Sequence, residues 1–150
     1  QDSYNFNTIS GQAKETTLTA FDSQIKLIEE EVKETRDAFT EKDNVEILDG
    51  CIDILVTTFG LIQKLENLGV DVSTAFKLTG ENNISKFPKE ESVAQETVRN
   101  LLDKGVDAEY TFNEEFGVYV IRNSEGKVMK PSTFIRNDIS QCVPQGLNLE

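Results

Sequence analysis

The 150-residue chain contains no histidine. That absence removes zinc sites built on imidazole, histidine general bases and the Glu-x-x-His motif of ferritin-like di-iron bundles. Cysteine is nearly absent too: Cys51 lies inside an apolar helical pattern and Cys142 near the tail, without metal-ligand spacing or the numbers of a disulfide framework. A reducing cytoplasm suits such a chain. No apolar run approaches the ~20 residues of a spanning helix, and the stretch after Gln1 has neither the charged nor the apolar region of a secretory leader. Basic residues are scarce as well, 15 against 27 acidic ones, for a formal charge of -12. That charge argues against direct binding to bare nucleic acid or to an anionic membrane. The excess acids are then either a solvated surface or ligands for cations. A soluble, cytoplasmic protein is expected. Gln1 in place of an initiator Met, and the terminal Leu149-Glu150, are expected to be processing ends without functional weight.

What is present is the composition of one globular domain, 37% apolar and 28% charged, able to bury a core. From Leu18 to Phe39, Phe21, Ile25, Ile28, Val32 and Phe39 recur at three- and four-residue steps, which predicts an amphipathic helix. After the polar break Thr40-Glu41-Lys42-Asp43, a second and more apolar pattern runs from Val45 to Leu65 and stops near Asn67-Leu68-Gly69; it reads as the most buried helix. A short helix from about Asp71 or Ser73 towards Asn82-Asn83, and another from Glu91 to Leu102 closed by Lys104-Gly105, complete four. Beyond Gly105 the β-formers Tyr110, Phe112 and Val118 to Ile121, and the turn signal Asn123-Ser124-Glu125-Gly126 before Lys127 to Lys130, predict a small hairpin or meander. The expected architecture is mainly α: a helical core over about 18–104 and a β-containing tail over about 108–135, in a single domain.

Two acidic bands stand out. At about 100° per residue, Leu27, Glu31, Glu34 and Ala38 share a stripe of the first helix. In the second, Glu46, Asp49, Gly50, Asp53, Thr57 and Gly60 form a narrow band, while Ile47, Cys51, Ile54, Leu55, Phe59 and Ile62 fill much of the remaining circumference. Acidic stripes are commonly solvated faces. Here the second band has no Lys or Arg partner up to Thr57, carries two glycines that leave room, and faces a neighbour joined by a short turn. Like charges gathered in this way cost stability unless a cation neutralises them. Mg²⁺ suits oxygen-only ligands and leaves positions open for phosphate oxygens. Glu31, Glu34, Glu46 and Asp49 can supply the carboxylates, with Asp53 one turn further along. Hydrolysis by metal-activated water is the chemistry such a set points to.

Glu30-Glu31-Val32-Lys33-Glu34 followed by Glu46-Ile47-Leu48-Asp49 resembles the Glu-Glu-x-x-Glu and Glu-x-x-Asp signature of the MazG-like all-α nucleotide pyrophosphohydrolases. The longer run Glu46 to Gly60, Leu68-Gly69-Val70-Asp71, Asn82-Asn83-Ile84-Ser85-Lys86 and Glu125-Gly126-Lys127-Val128-Met129-Lys130-Pro131 is similar to the phosphoribosyl-ATP pyrophosphohydrolase-like branch common in phages and bacteria. Asn82 stands where that branch usually has Ser, and Ile84 where it has Met. The resemblance implies a four-helix MazG-like bundle with a small C-terminal β-hairpin, in a bacterial or phage-infected cell. It implies cleavage of a nucleoside triphosphate between its α- and β-phosphates, with Mg²⁺, or Mn²⁺ as a substitute. Glu31, Glu34, Glu46 and Asp49 become metal ligands, and Asp53 a further ligand or the orienter of the attacking water. Asn83 with Lys86 becomes a contact to substrate phosphate or sugar.

Lys86 read without its motif is a helix-end surface lysine. Lys127 and Lys130 offer either a phosphate contact or solvated edge-strand charges. Tyr110, Phe112 and Tyr119 can stack on a base or pack in the core. The second helix is apolar around most of its circumference, which predicts a homo-oligomer, dimer or tetramer, unless the β-tail covers it. The competing functions are an acidic module that sequesters a basic partner, and a degenerate homologue kept for regulation. Concentration of the acids on two bands argues against the first, and retention of every acidic motif position against the second.

Overall fold

A computed structural model describes residues 1–147. Leu149 and Glu150 lie outside the described residues. The protein is mainly α: α1 (Asp2–Ile9), α2 (Leu18–Glu41), α3 (Asn44–Asn67), α4 (Val72–Ile84), α5 (Glu91–Leu102), β1 (Ala108–Asn113), β2 (Val118–Asn123) and a short 3₁₀ turn at Ser140–Cys142. Contacts group these into two compact units, Gln1–Val72 with the stretch from Ser140 onward, and Ser73–Ile139. Among the described residues no helix is long and apolar enough to cross a membrane.

In the first unit, α2 begins where the Thr17 hydroxyl accepts from the Ala20 N–H and runs through the expected break to Glu41. Lys42 takes the left-handed conformation, φ 60°, and the Asp43 carboxylate then caps α3 by accepting from the N–H groups of Val45 and Glu46. So tight a link makes α2 and α3 antiparallel neighbours. Gly50 lets them approach closely, since a Cβ there would collide with Thr35 Oγ1 and lie 3.3 Å from Thr35 Cα.

The helix α1 had no counterpart in the expected set of four. Its sequence lacks an apolar stripe, and α3 holds it instead: Asn7 Nδ2 donates to the Val56 carbonyl (3.0 Å), Gln63 Nε2 to the Tyr4 carbonyl (3.2 Å), and the Tyr4 and Phe59 rings lie 5.5 Å apart. From α2, Gln24 Nε2 donates to the Thr57 carbonyl. Lys64 Nζ donates to the carbonyls of Gln12 and Glu15, and Asn67 to that of Ala13; together they fix the loop after α1. As expected, α3 is the most buried helix, with more of its length buried or half-buried than α2 of the same length. Its fully buried residues are nonetheless Gly50, Gly60, Gln63 and Lys64, and Val45, Leu48, Ile52 and Leu55 stay exposed, because among the described residues the elements that pack against it are α1 and α2. On α2, Ile25, Val32 and Phe39 are exposed likewise. Both cysteines are free, Cys51 exposed and Cys142 buried.

In the second unit α5 packs against an antiparallel hairpin in which Tyr110 pairs with Ile121 and Phe112 with Tyr119. Ala94 and Ile121 are fully buried. The hairpin turns at Glu114 to Gly117, earlier than the predicted turn at Asn123 to Gly126. That second turn exists as well, tied by Asn123 Oδ1 accepting from the N–H groups of Glu125 and Lys127. The Lys127 to Lys130 stretch beyond it makes a single bridge, Arg122 to Val128, in place of a third strand.

Candidate functional site

The turn at Lys42-Asp43 lays the C-terminal half of α2 beside the N-terminal half of α3, so the two acidic bands meet. Glu31, Glu34, Glu46, Asp49 and Asp53 line one cleft of about 210 Å³. Asp37 and Glu41 reach the same cleft, although neither was singled out from the sequence. Glu41 continues the stripe of Glu34 and Ala38 by one more step, a signal hidden by treating Thr40 to Asp43 as a break. Thr35 and Gly50 make the floor, where the Thr35 hydroxyl donates to the Glu31 carbonyl at 2.7 Å.

No Lys or Arg lines this cleft among the described residues. The nearest ion pair on its flank, Lys33 with Asp37 at 3.8 Å, is solvent-exposed and screens little. Accordingly the Glu31 carboxyl titrates above its ordinary value, first because it is partly desolvated and then because Asp53, Glu34, Glu30 and Asp49 surround it with negative charge. Oxygen-only donors of this kind fit a hard divalent cation in chemical type. Among the described residues no three of them converge as they stand on one metal position.

The remaining expected residues belong to the second unit. Lys86 Nζ donates to Asn83 Oδ1 at 2.8 Å, so this pair is formed across one helical turn at the end of α4. Lys127 and Lys130 follow the turn after β2, and Lys130 lies over the Phe134 ring at 5.0 Å from its centroid. The aromatic residues pack on one another: Tyr119 is 4.9 Å from Phe112 and 5.8 Å from Tyr110, centroid to centroid. The Tyr110 hydroxyl donates to Glu91. The three rings form a cluster at the surface of the hairpin, with Phe112 exposed and Tyr110 and Tyr119 half-buried, and do not belong to the buried core.

A family model described as phosphoribosyl-ATP pyrophosphohydrolase matches residues 8–83, half of the chain. The span takes in all five carboxylates and Asn83 and ends before Lys86, Lys127 and Lys130. Neither a curated protein nor a solved structure matches the chain.

Proposed function

The chain belongs to the phosphoribosyl-ATP pyrophosphohydrolase family, within the MazG-like all-α nucleotide pyrophosphohydrolases, and from that premise we propose that it hydrolyses a nucleoside triphosphate to the monophosphate and pyrophosphate with Mg²⁺. The family typically depends on a divalent metal. The observation that carries the proposal is the cleft itself: carboxylates from two helices, with no basic residue lining it among the described residues, inside the span matched by the family. Glu31, Glu34, Glu46 and Asp49 are the proposed ligands. Binding an ion requires their side chains to turn inward, and Glu34, Glu46 and Asp49 are exposed. Mg²⁺ held there shields phosphate charge and activates water, and Mn²⁺ can substitute. Asp53 serves as a further ligand or orients the attacking water. Lys86, held by Asn83, supplies a cation to the substrate phosphates or sugar, with Lys127 and Lys130 as additional phosphate contacts.

The test is a panel of canonical and modified nucleoside triphosphates, with phosphoribosyl-ATP included because the family carries its name. Pyrophosphate and the monophosphate are the expected products, with labelled solvent oxygen in the monophosphate. Orthophosphate with a diphosphate left behind refutes the reaction type.

The proposal includes a homo-oligomer, dimer or tetramer. Val45, Leu48, Ile52 and Leu55 follow the three-four spacing of a helical seam, yet are 73%, 65%, 50% and 53% exposed in the single chain. A second copy related by two-fold symmetry would cover them. Light scattering that gives the 16.8 kDa monomer mass, unchanged by Mg²⁺ and substrate, overturns this part.

A further inference from the structure

A second cleft, of about 470 Å³, opens between α1 and the α2–α3 hairpin and is lined by Phe6, Leu27, Val56 and Thr57 together with Glu31 and Asp53. Its volume falls in the roughly 300–1,000 Å³ range of small-molecule pockets. Glu31 and Asp53 also line the acidic cleft, so the two cavities adjoin along the same pair of carboxylates. Their chemistry differs. One is walled by acids; the other, although Asp2 lines it beside Glu31 and Asp53, adds an aromatic ring and two aliphatic side chains, with Ser3, Gln12 and Thr57 as neutral polar groups.

A nucleotide divides in the same manner, into a polyanion that needs a cation and a flat base whose faces are apolar. We propose that the second cleft is the nucleobase and sugar subsite, with Phe6 as the surface on which the base stacks. The inference rests on the nucleotide reading above and adds what that reading leaves open, the place of the base. Phe6 is 56% exposed, but its backbone is held: Tyr4 and Asn7 on either side of it are tied to Phe59 and to the Val56 carbonyl. An aromatic ring left open on a fixed helix is already positioned for stacking and loses little freedom when a base arrives. Phe6 also precedes the matched span, which starts at residue 8, so the family signature does not assign it.

The chain has no tryptophan, so Phe6→Trp places a single indole reporter in the cleft. The probes are AMP, CMP, GMP and UMP, which carry the base and are not turned over, and inorganic pyrophosphate, which carries none. Saturable quenching by at least one monophosphate, none by pyrophosphate, and none in Phe116→Trp, whose reporter sits on the exposed hairpin turn, is the expected result. In parallel, Phe6→Ala raises KM for the corresponding triphosphate roughly 5- to 100-fold and leaves kcat and inhibition by tripolyphosphate unchanged. Absence of quenching by all four monophosphates, equal quenching in Phe116→Trp, or an unchanged KM in Phe6→Ala overturns the subsite even if the wild type is an active hydrolase. Saturable quenching in Phe6→Trp with a wild type that hydrolyses no nucleotide upholds the subsite and sinks the hydrolase reading.

Discussion

The two halves of α3 treat polar residues in opposite ways. From Glu46 to Asp53 the polar side chains are carboxylates, which among the described residues have no basic partner beside those of α2. From Val56 to Asn67 the helix buries polar groups instead. Asn7 and Gln24 donate to its carbonyls at Val56 and Thr57, and its own Gln63, Lys64 and Asn67 donate to carbonyls of α1 and the following loop. An amide N–H buried against a carbonyl needs no counter-ion, so the second arrangement holds the fold without an added ion, although Asn7 Oδ1 and Gln63 Oε1 are left without hydrogen-bond partners among the described residues. Gathered carboxylates are not self-sufficient, since each raises the cost of ionising the next. The lesson is that one helix serves as scaffold at one end and as a charge-bearing wall at the other.

The contrast is broken most sharply by neutralising the wall. Glu34→Gln or Asp49→Asn should lower pyrophosphate release at limiting Mg²⁺ by more than about 100-fold, since even indirect supports of a metal cost about 10- to 100-fold. Far-UV circular dichroism should stay unchanged, because both side chains are exposed. Wild-type turnover in either variant sinks the ligand assignment.

A smaller effect is expected at Gly50→Ala. The new Cβ cannot coexist with Thr35, so the helices must part. Overpacking costs about 1–3 kcal/mol, offset by up to about 1 kcal/mol of helix propensity. Urea unfolding should register that loss, and thermal stabilisation by Mg²⁺ should shrink as the bands separate. At the scaffold end, Asn7→Ala removes the bonds to Ser3 and Val56 and should cost about 1–2 kcal/mol, with the Mg²⁺ response intact. If Asn7→Ala abolished that response while Gly50→Ala kept it, the assignment of the two halves would be reversed.

The smallest effect is in pH. Glu31 titrates above its ordinary 4.5 in the folded protein. Between the two values the native state holds more protons than the unfolded one, so the metal-free protein loses stability as pH rises through that window. The readout is the difference from Glu31→Gln, which should lose stability less steeply in EDTA. Parallel curves for the two proteins would remove Glu31 from the strongly repelled set.

The hairpin of α2 and α3 was readable from the chain because its determinants are local. Three- and four-residue apolar steps, the Asp43 cap and the narrow bands Glu31-Glu34 and Glu46-Asp49-Asp53 all act within a few turns of helix. Meeting of the bands follows from a link too short to permit anything but antiparallel neighbours. Resemblance to the family rested in part on those same residues, which the match over 8–83 covers, whereas the run Glu125 to Pro131 quoted for it lies beyond the match.

Tertiary structure decided the rest. Helix α1 is polar and short, and Asn7 finds its partner 49 residues away, a separation that leaves no periodicity to read. Burial of Asn7, Gln24, Gln63 and Lys64 in place of the expected isoleucines and leucines depends on backbone carbonyls brought close by packing at Gly60, where a Cβ would lie 2.7 Å from Gln24 Nε2. The open ring of Phe6 has the same origin, since only the docked helix determines which of its faces remains uncovered. Local sequence sets which segments become helices and which faces carry charge; long-range hydrogen bonds and close approach set which polar groups are buried and where a cleft remains.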